Sequence, residues 1–138
     1  MSELKKGRKT QEETLLDEVK VTFGEQYNKI LSSERDENAF IEKLKNFISD
    51  NAKHISTSQL RNIYTKIKNL KGDNLKEVYT LRPKLAYIYG RSDSKGMKKL
   101  LVLLDDRIKE IKTKSELEQF KAFFEAVIAY HKFYGGKN

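Results

Sequence analysis

The sequence has no cysteine, no tryptophan and a single proline among its 138 residues. Without cysteine there are no disulfides and no thiolate metal ligands. The two histidines, His54 and His131, stand too far apart in sequence to suggest a metal site, and each reads as a polar group at a helix end or edge. No metal or other cofactor is expected. No stretch approaches the roughly 20 apolar residues needed to cross a bilayer, and the opening MSELKKGRKTQEE has no apolar signal-peptide core. A cytoplasmic protein without a membrane partner is the expectation. The motifs HExxH, GxxxxGK(S/T) and GxSxG are missing as well. Asp105 and Asp106 are chain neighbours on a helix, where successive side chains point about 100° apart, so they read as a solvated face. No catalytic constellation remains, and the chain is expected not to be an enzyme.

What is present suits helices. Charged residues make up 35% of the chain, with only 7 glycines, and no alternating strand pattern occurs. A chain of this length forms one domain, burying roughly two-thirds of its unfolded surface. Residues 1–11 are polar and aperiodic and read as a mobile tail, with Lys5, Lys6, Arg8 and Lys9 on a solvated end. Residues 12–138 then form a single all-α bundle of about five to six helices.

Apolar spacing places the helices. The first runs from about Gln11 to Leu31 on Leu16, Val19, Phe23, Tyr27 and Ile30. The second, capped by Ser33, carries Phe40, Ile41, Leu44, Phe47 and Ile48. A capping box at Ser56–Gln59 opens the third, which buries Leu60, Ile63, Tyr64, Ile67 and Leu70 and ends at Lys71-Gly72. The fourth spans about Asn74–Gly90, and Pro83 inside it predicts a kink or break near Thr80. After a loop at 91–96, the fifth carries Met97, Leu101, Leu104, Ile108 and Ile111. A second box at Thr113–Glu116 opens the sixth, which reaches Tyr134 before Gly135-Gly136. Its Leu117, Phe120, Phe124, Val127 and Ile128 form one stripe, while Phe123, Tyr130 and Phe133 point elsewhere. Such a helix is either central in the bundle or covered by a partner.

The net charge of +8 is unevenly spread. Residues 1–52 hold 9 basic and 11 acidic side chains, residues 53–99 hold 12 and 3, and residues 100–138 hold 7 and 6. The middle segment supplies the whole excess, which argues for a polyanionic partner. Between Lys53 and Lys71 there is no acidic residue. Arg61, Thr65 and Lys68 stand together on the third helix, opposite its apolar stripe and flanked by Asn62, Lys66 and Asn69. Solvated faces normally mix signs; this one does not. On the fourth helix Lys84, Tyr87 and Arg91 share a face, and Arg82, Lys95, Lys98 and Lys99 extend the positive field. Tyr87 either stacks on a base between two phosphate-binding cations or packs half-buried with its hydroxyl in water.

Three segments together carry a family resemblance: Ile55-Ser-Thr-Ser-Gln-Leu-Arg61, Lys84-Leu-Ala-Tyr-Ile-Tyr-Gly-Arg91 and Ala129-Tyr-His-Lys-Phe-Tyr-Gly-Gly136. In order and spacing they resemble the small subunit of the type III-A CRISPR effector, the Csm complex. The resemblance implies a non-catalytic RNA-binding subunit, several copies of which stack along the path of guide RNA and target RNA. Its implied partners are those RNAs, other copies of itself, and the backbone and large subunits that hold the nuclease and cyclase chemistry. It also implies RNA contact by Arg61, Lys84, Tyr87 and Arg91, and packing by Tyr130–Gly136. With Lys53, Lys68 and Arg82 from the basic segment, the candidate set is Lys53, Arg61, Lys68, Arg82, Lys84, Tyr87 and Arg91. Two other readings are a helical DNA-binding regulator and a structural adaptor docking through the sixth helix. The first is disfavoured by Asn51–Ser56, which lacks the short tight turn of a helix-turn-helix.

Overall fold

Capping chemistry accounts for where each helix starts. A computed structural model describes residues 9–136, so Lys5, Lys6 and Arg8 of the tail lie outside the described residues. Helix α1 (Gln11–Phe23) opens on a complete capping box. Thr10 Oγ1 accepts the Glu13 N–H at 3.1 Å, and the Glu13 carboxylate accepts the Thr10 N–H at 2.8 Å. Leu15, Val19 and Phe23 face inward. The helix stops short of Leu31, because Gly24 takes φ 57° and the chain continues as a 3₁₀ turn over Gly24–Lys29. Tyr27 and Ile30 still reach the core from there. The apolar period therefore survives a break that ends the α-helix.

Helix α2 (Glu37–Asn51) is capped by Asp36, whose Oδ1 accepts the Ala39 N–H at 3.1 Å, and not by Ser33. Arg35 fixes the approach to it. Its guanidinium donates to the Ile30 carbonyl at 2.9 Å and to Glu37 at 2.9 Å, and lies 4.2 Å from the Phe40 ring centre. A 3₁₀ turn, Ala52–His54, leads to α3 (Thr57–Lys68), where Ser56 Oγ accepts the Gln59 N–H at 3.3 Å.

Pro83 divides the expected fourth helix into α4 (Leu75–Tyr79) and α5 (Leu81–Arg91), with Thr80 between them. Proline has no N–H to offer the Tyr79 carbonyl, and its ring crowds the preceding turn. Helix α6 (Lys95–Lys109) is capped by Ser94, and α7 (Lys114–Phe133) by a second complete box of Thr113 and Glu116. Gly135 ends α7 at φ 69°, and the Gly136 N–H returns to the His131 carbonyl at 2.9 Å. The described residues contain seven α-helices and no strand, the all-α bundle expected, with one helix split in two.

The central helix is α6, and of the two alternatives for the aromatic-rich last helix, α7, the central position is not the one it takes. Helix α6 packs against α1, α2, α4, α5 and the second 3₁₀ turn, whereas α7 packs against α2 and α3. Phe123 does not point elsewhere. It joins a buried ring cluster, 6.5 Å from Phe23 and 6.0 Å from Phe40, while Phe47 lies 5.5 Å from Phe23. Each such ring contributes about 1.5–3 kcal/mol by its burial. Phe133, at 72% exposure, is the aromatic of α7 left in solvent.

Candidate nucleic-acid interface

The third helix shows its core side and its basic side cleanly. Leu60, Ile63 and Ile67 are buried, and Arg61, Thr65 and Lys68 are exposed. Thr65 Oγ1 is turned back onto the Arg61 carbonyl at 3.0 Å, so it offers the surface little. Lys68 Nζ sits 5.7 Å from the centre of the Tyr64 ring, which itself stacks on Phe124 at 6.0 Å. Arg61, and Lys53 on the preceding turn, are exposed and have no ion-pair partner among the described residues.

On α5, Leu81 and Leu85 are buried, leaving Lys84, Tyr87 and Arg91 exposed. Tyr87 is 65% exposed, which excludes the half-buried reading. Its hydroxyl accepts from Arg91 Nη1 at 2.9 Å, with the guanidinium carbon 5.6 Å from the ring centre. An aromatic ring braced by a cation, both open to solvent, suits base stacking beside a phosphate.

Arg82 lies on the other flank of α5. Its Nε and Nη2 donate to the two Asp105 oxygens at 2.8 and 3.3 Å, and that hydrogen-bonded carboxylate raises the pKa of its guanidinium. The loop lysines are similarly occupied. Lys95 and Lys99 reach Glu18 at 3.3 and 3.1 Å, and the hydrogen bond from Lys99 is the leading cause that lowers the Glu18 pKa. Lys98 donates to Gln11 at 3.2 Å and lies over Tyr89. The cations singled out on α5, on the loop and in the candidate set thus fall into two groups, with Lys66, Lys71 and Lys76 exposed and unpaired among the described residues besides. Arg82, Lys95, Lys98 and Lys99 each have a polar partner within the chain, at its surface. Lys53, Arg61, Lys68, Lys84 and Arg91 have no carboxylate partner among the described residues.

Asp105 and Asp106 do not form the solvated face expected of them. Asp105 holds Arg82, and Asp106 is 8% exposed. The Tyr27 hydroxyl donates to Asp106, with Arg107 Nη2 at 3.0 Å and Lys109 Nζ at 3.4 Å. Burial alone would raise the Asp106 pKa, but the Tyr27 and Arg107 hydrogen bonds and the nearby cations hold it below the usual carboxylate value. Burial, then the bond to Asp106, pushes the Tyr27 hydroxyl up. Tyr27 and Asp106 are 79 positions apart, so no local pattern signals the pair. Among the described residues no group of three or more His, Asp or Glu could hold a metal ion, and no helix is long and apolar enough to cross a membrane.

A protein-family model described as Csm2 Type III-A matches residues 34–137. A Streptococcus thermophilus protein named "CRISPR system Cms protein Csm2" is 36% identical over 93 residues, which cover 61% of this chain and 76% of that protein. No solved structure matches the chain.

Proposed function

This chain belongs to the Csm2 family, the small subunit of the type III-A CRISPR effector, and from that premise we propose that it binds guide and target RNA through α3 and α5. The observation that carries the proposal is the division of the cations. Lys53, Arg61, Lys68, Lys84 and Arg91 are exposed and free of carboxylates among the described residues, and Arg91 braces the exposed Tyr87, while Arg82, Lys95 and Lys99 of the same segment are paired with Asp105 and Glu18. Cations and a stacking ring read phosphates and base faces, which every RNA has, so the subunit accepts any guide sequence. It performs no chemistry itself. It acts in the cytoplasm, and other copies of the chain together with the backbone and large effector subunits complete the assembly. One copy alone holds RNA weakly, and neighbouring copies on one strand raise the affinity by multivalency.

Filter binding with several unrelated single-stranded RNAs and a duplex DNA tests the proposal. Near-equal affinity for the RNAs, tighter than for the duplex, is the expected result. A marked preference for one RNA sequence, or tighter binding to duplex DNA, would contradict it.

A further inference from the structure

The segments that carry the two basic faces are tied together. Ser94, three residues after Arg91, donates from Oγ to the carbonyl of His54 at 2.9 Å, and His54 follows Lys53 directly. The same hydroxyl caps α6 by accepting the Met97 N–H at 3.2 Å. Beside this bond Gly96 is buried. A Cβ at Gly96 would stand 2.9 Å from His54 Cβ and 3.2 Å from both the carbonyl oxygen and Oδ1 of Asn51. Asn51 is buried and its Nδ2 donates to the Phe47 carbonyl at 2.7 Å, so it has little freedom to retreat. Only glycine lets the start of α6 close this far onto the second 3₁₀ turn.

We infer that this seam joins the two faces into one track, along which a single RNA strand crosses from α5 to α3. The exposed His54 side chain is a further contact at the crossover, and Gly96 is a positioning residue that touches no RNA. The inference rests on the RNA-binding reading above. Helices α5 and α3, of 11 and 12 residues, each offer a face only about 16–18 Å long at ~1.5 Å per residue. Lys84 and Arg91 lie on one, Arg61 and Lys68 on the other, and Lys53 adjoins His54 at the seam. A strand confined to one face meets two or three cations; a strand crossing the seam meets all of them. Asp93, exposed between Arg91 and Ser94, is the carboxylate that opposes the strand there.

Salt titrations with two oligouridylates, one of about four and one of about sixteen nucleotides, test the track. At about −0.7 per phosphate contacted on single strands, log K against log salt should slope at about −2 for the short oligomer and about −3.5 for the long one. Gly96→Ala, which removes no cation, should return the long oligomer's slope to about −2 and leave the short oligomer's affinity unchanged. His54→Glu should weaken binding of the long oligomer more than the short, and Asp93→Asn should strengthen it. Equal slopes at the two lengths in the unmodified protein would overturn the inference, and that comparison stands even if Gly96→Ala does not fold. A folded Gly96→Ala protein, judged by circular dichroism, that keeps the full slope would overturn it too. Equal slopes that remain salt-dependent would leave the RNA-binding reading intact; no salt dependence at either length would remove both.

Discussion

His131 Nε2, buried near the end of α7, donates to the carbonyl of Ile55 across 2.8 Å. The bond ties the last turn of α7 to the residue just before the Ser56 cap of α3, and so links the C-terminal end of the bundle to the base of its basic helix. Gly136 lies against the ring so closely that a Cβ there would stand 2.0 Å from His131 Cε1. His131→Ala leaves the Ile55 carbonyl without this donor, and a buried unsatisfied group costs about 1–3 kcal/mol. The melting temperature followed by circular dichroism should fall by several degrees. Gly136→Ala should lower it as well, by displacing the same imidazole.

The Asp106 carboxylate gives the bundle an acid-sensitive element. Its folded pKa is depressed, so the stability it contributes is present above the unfolded value of about 3.9 and is lost as pH falls through the lower folded value. Asp106→Asn leaves the Arg107 side chain, 11% exposed, without its counter-charge. At neutral pH that should cost about 3–5 kcal/mol. In urea unfolding the gap between the unmodified protein and the variant should narrow as pH drops below about 4.

Arg82 and Arg61 should behave as opposites. Arg61→Ala removes a cation with no ion-pair partner among the described residues and should make the RNA salt slope shallower by about 0.7. Arg82→Ala removes one already held by Asp105 at 2.8 Å and should leave the slope unchanged. Its effect on stability should stay within about 1 kcal/mol, as expected of an exposed pair. Charge reversal at Arg61 together with Arg91 should weaken RNA binding without altering the helical circular dichroism, because both residues are exposed.

Tyr87 should contribute through its ring and not through charge. Tyr87→Ala is expected to lower RNA affinity by about 1–3 kcal/mol with the salt slope unchanged. Tyr87→Trp would place one tryptophan in a chain that has none, and its fluorescence should be quenched when RNA is added.

Much of this arrangement is legible in the sequence, for reasons that differ from residue to residue. Helix starts at Ser56 and Thr113 announce themselves because caps are local, and Pro83 marks the break at Thr80 because its missing N–H acts within one turn. Gly24 is harder to read, since a helical period tolerates glycine and only the φ of 57° reveals the stop. The basic faces of α3 and α5 follow from periodicity. Which cations of the basic segment are paired does not, because Arg82 of α5 meets Asp105 of α6, and Lys95 and Lys99 of α6 meet Glu18 of α1. The Tyr27–Asp106 bond and the Ser94–His54 tie are invisible for the same reason: they join residues brought together only by the packing of α6.

The most direct measurement of the central claim is the salt dependence of binding to a long single-stranded RNA of arbitrary sequence. Five free cations in contact with phosphates predict a slope of log K against log salt of about −3.5. A slope near zero, at any measurable affinity, would contradict the account.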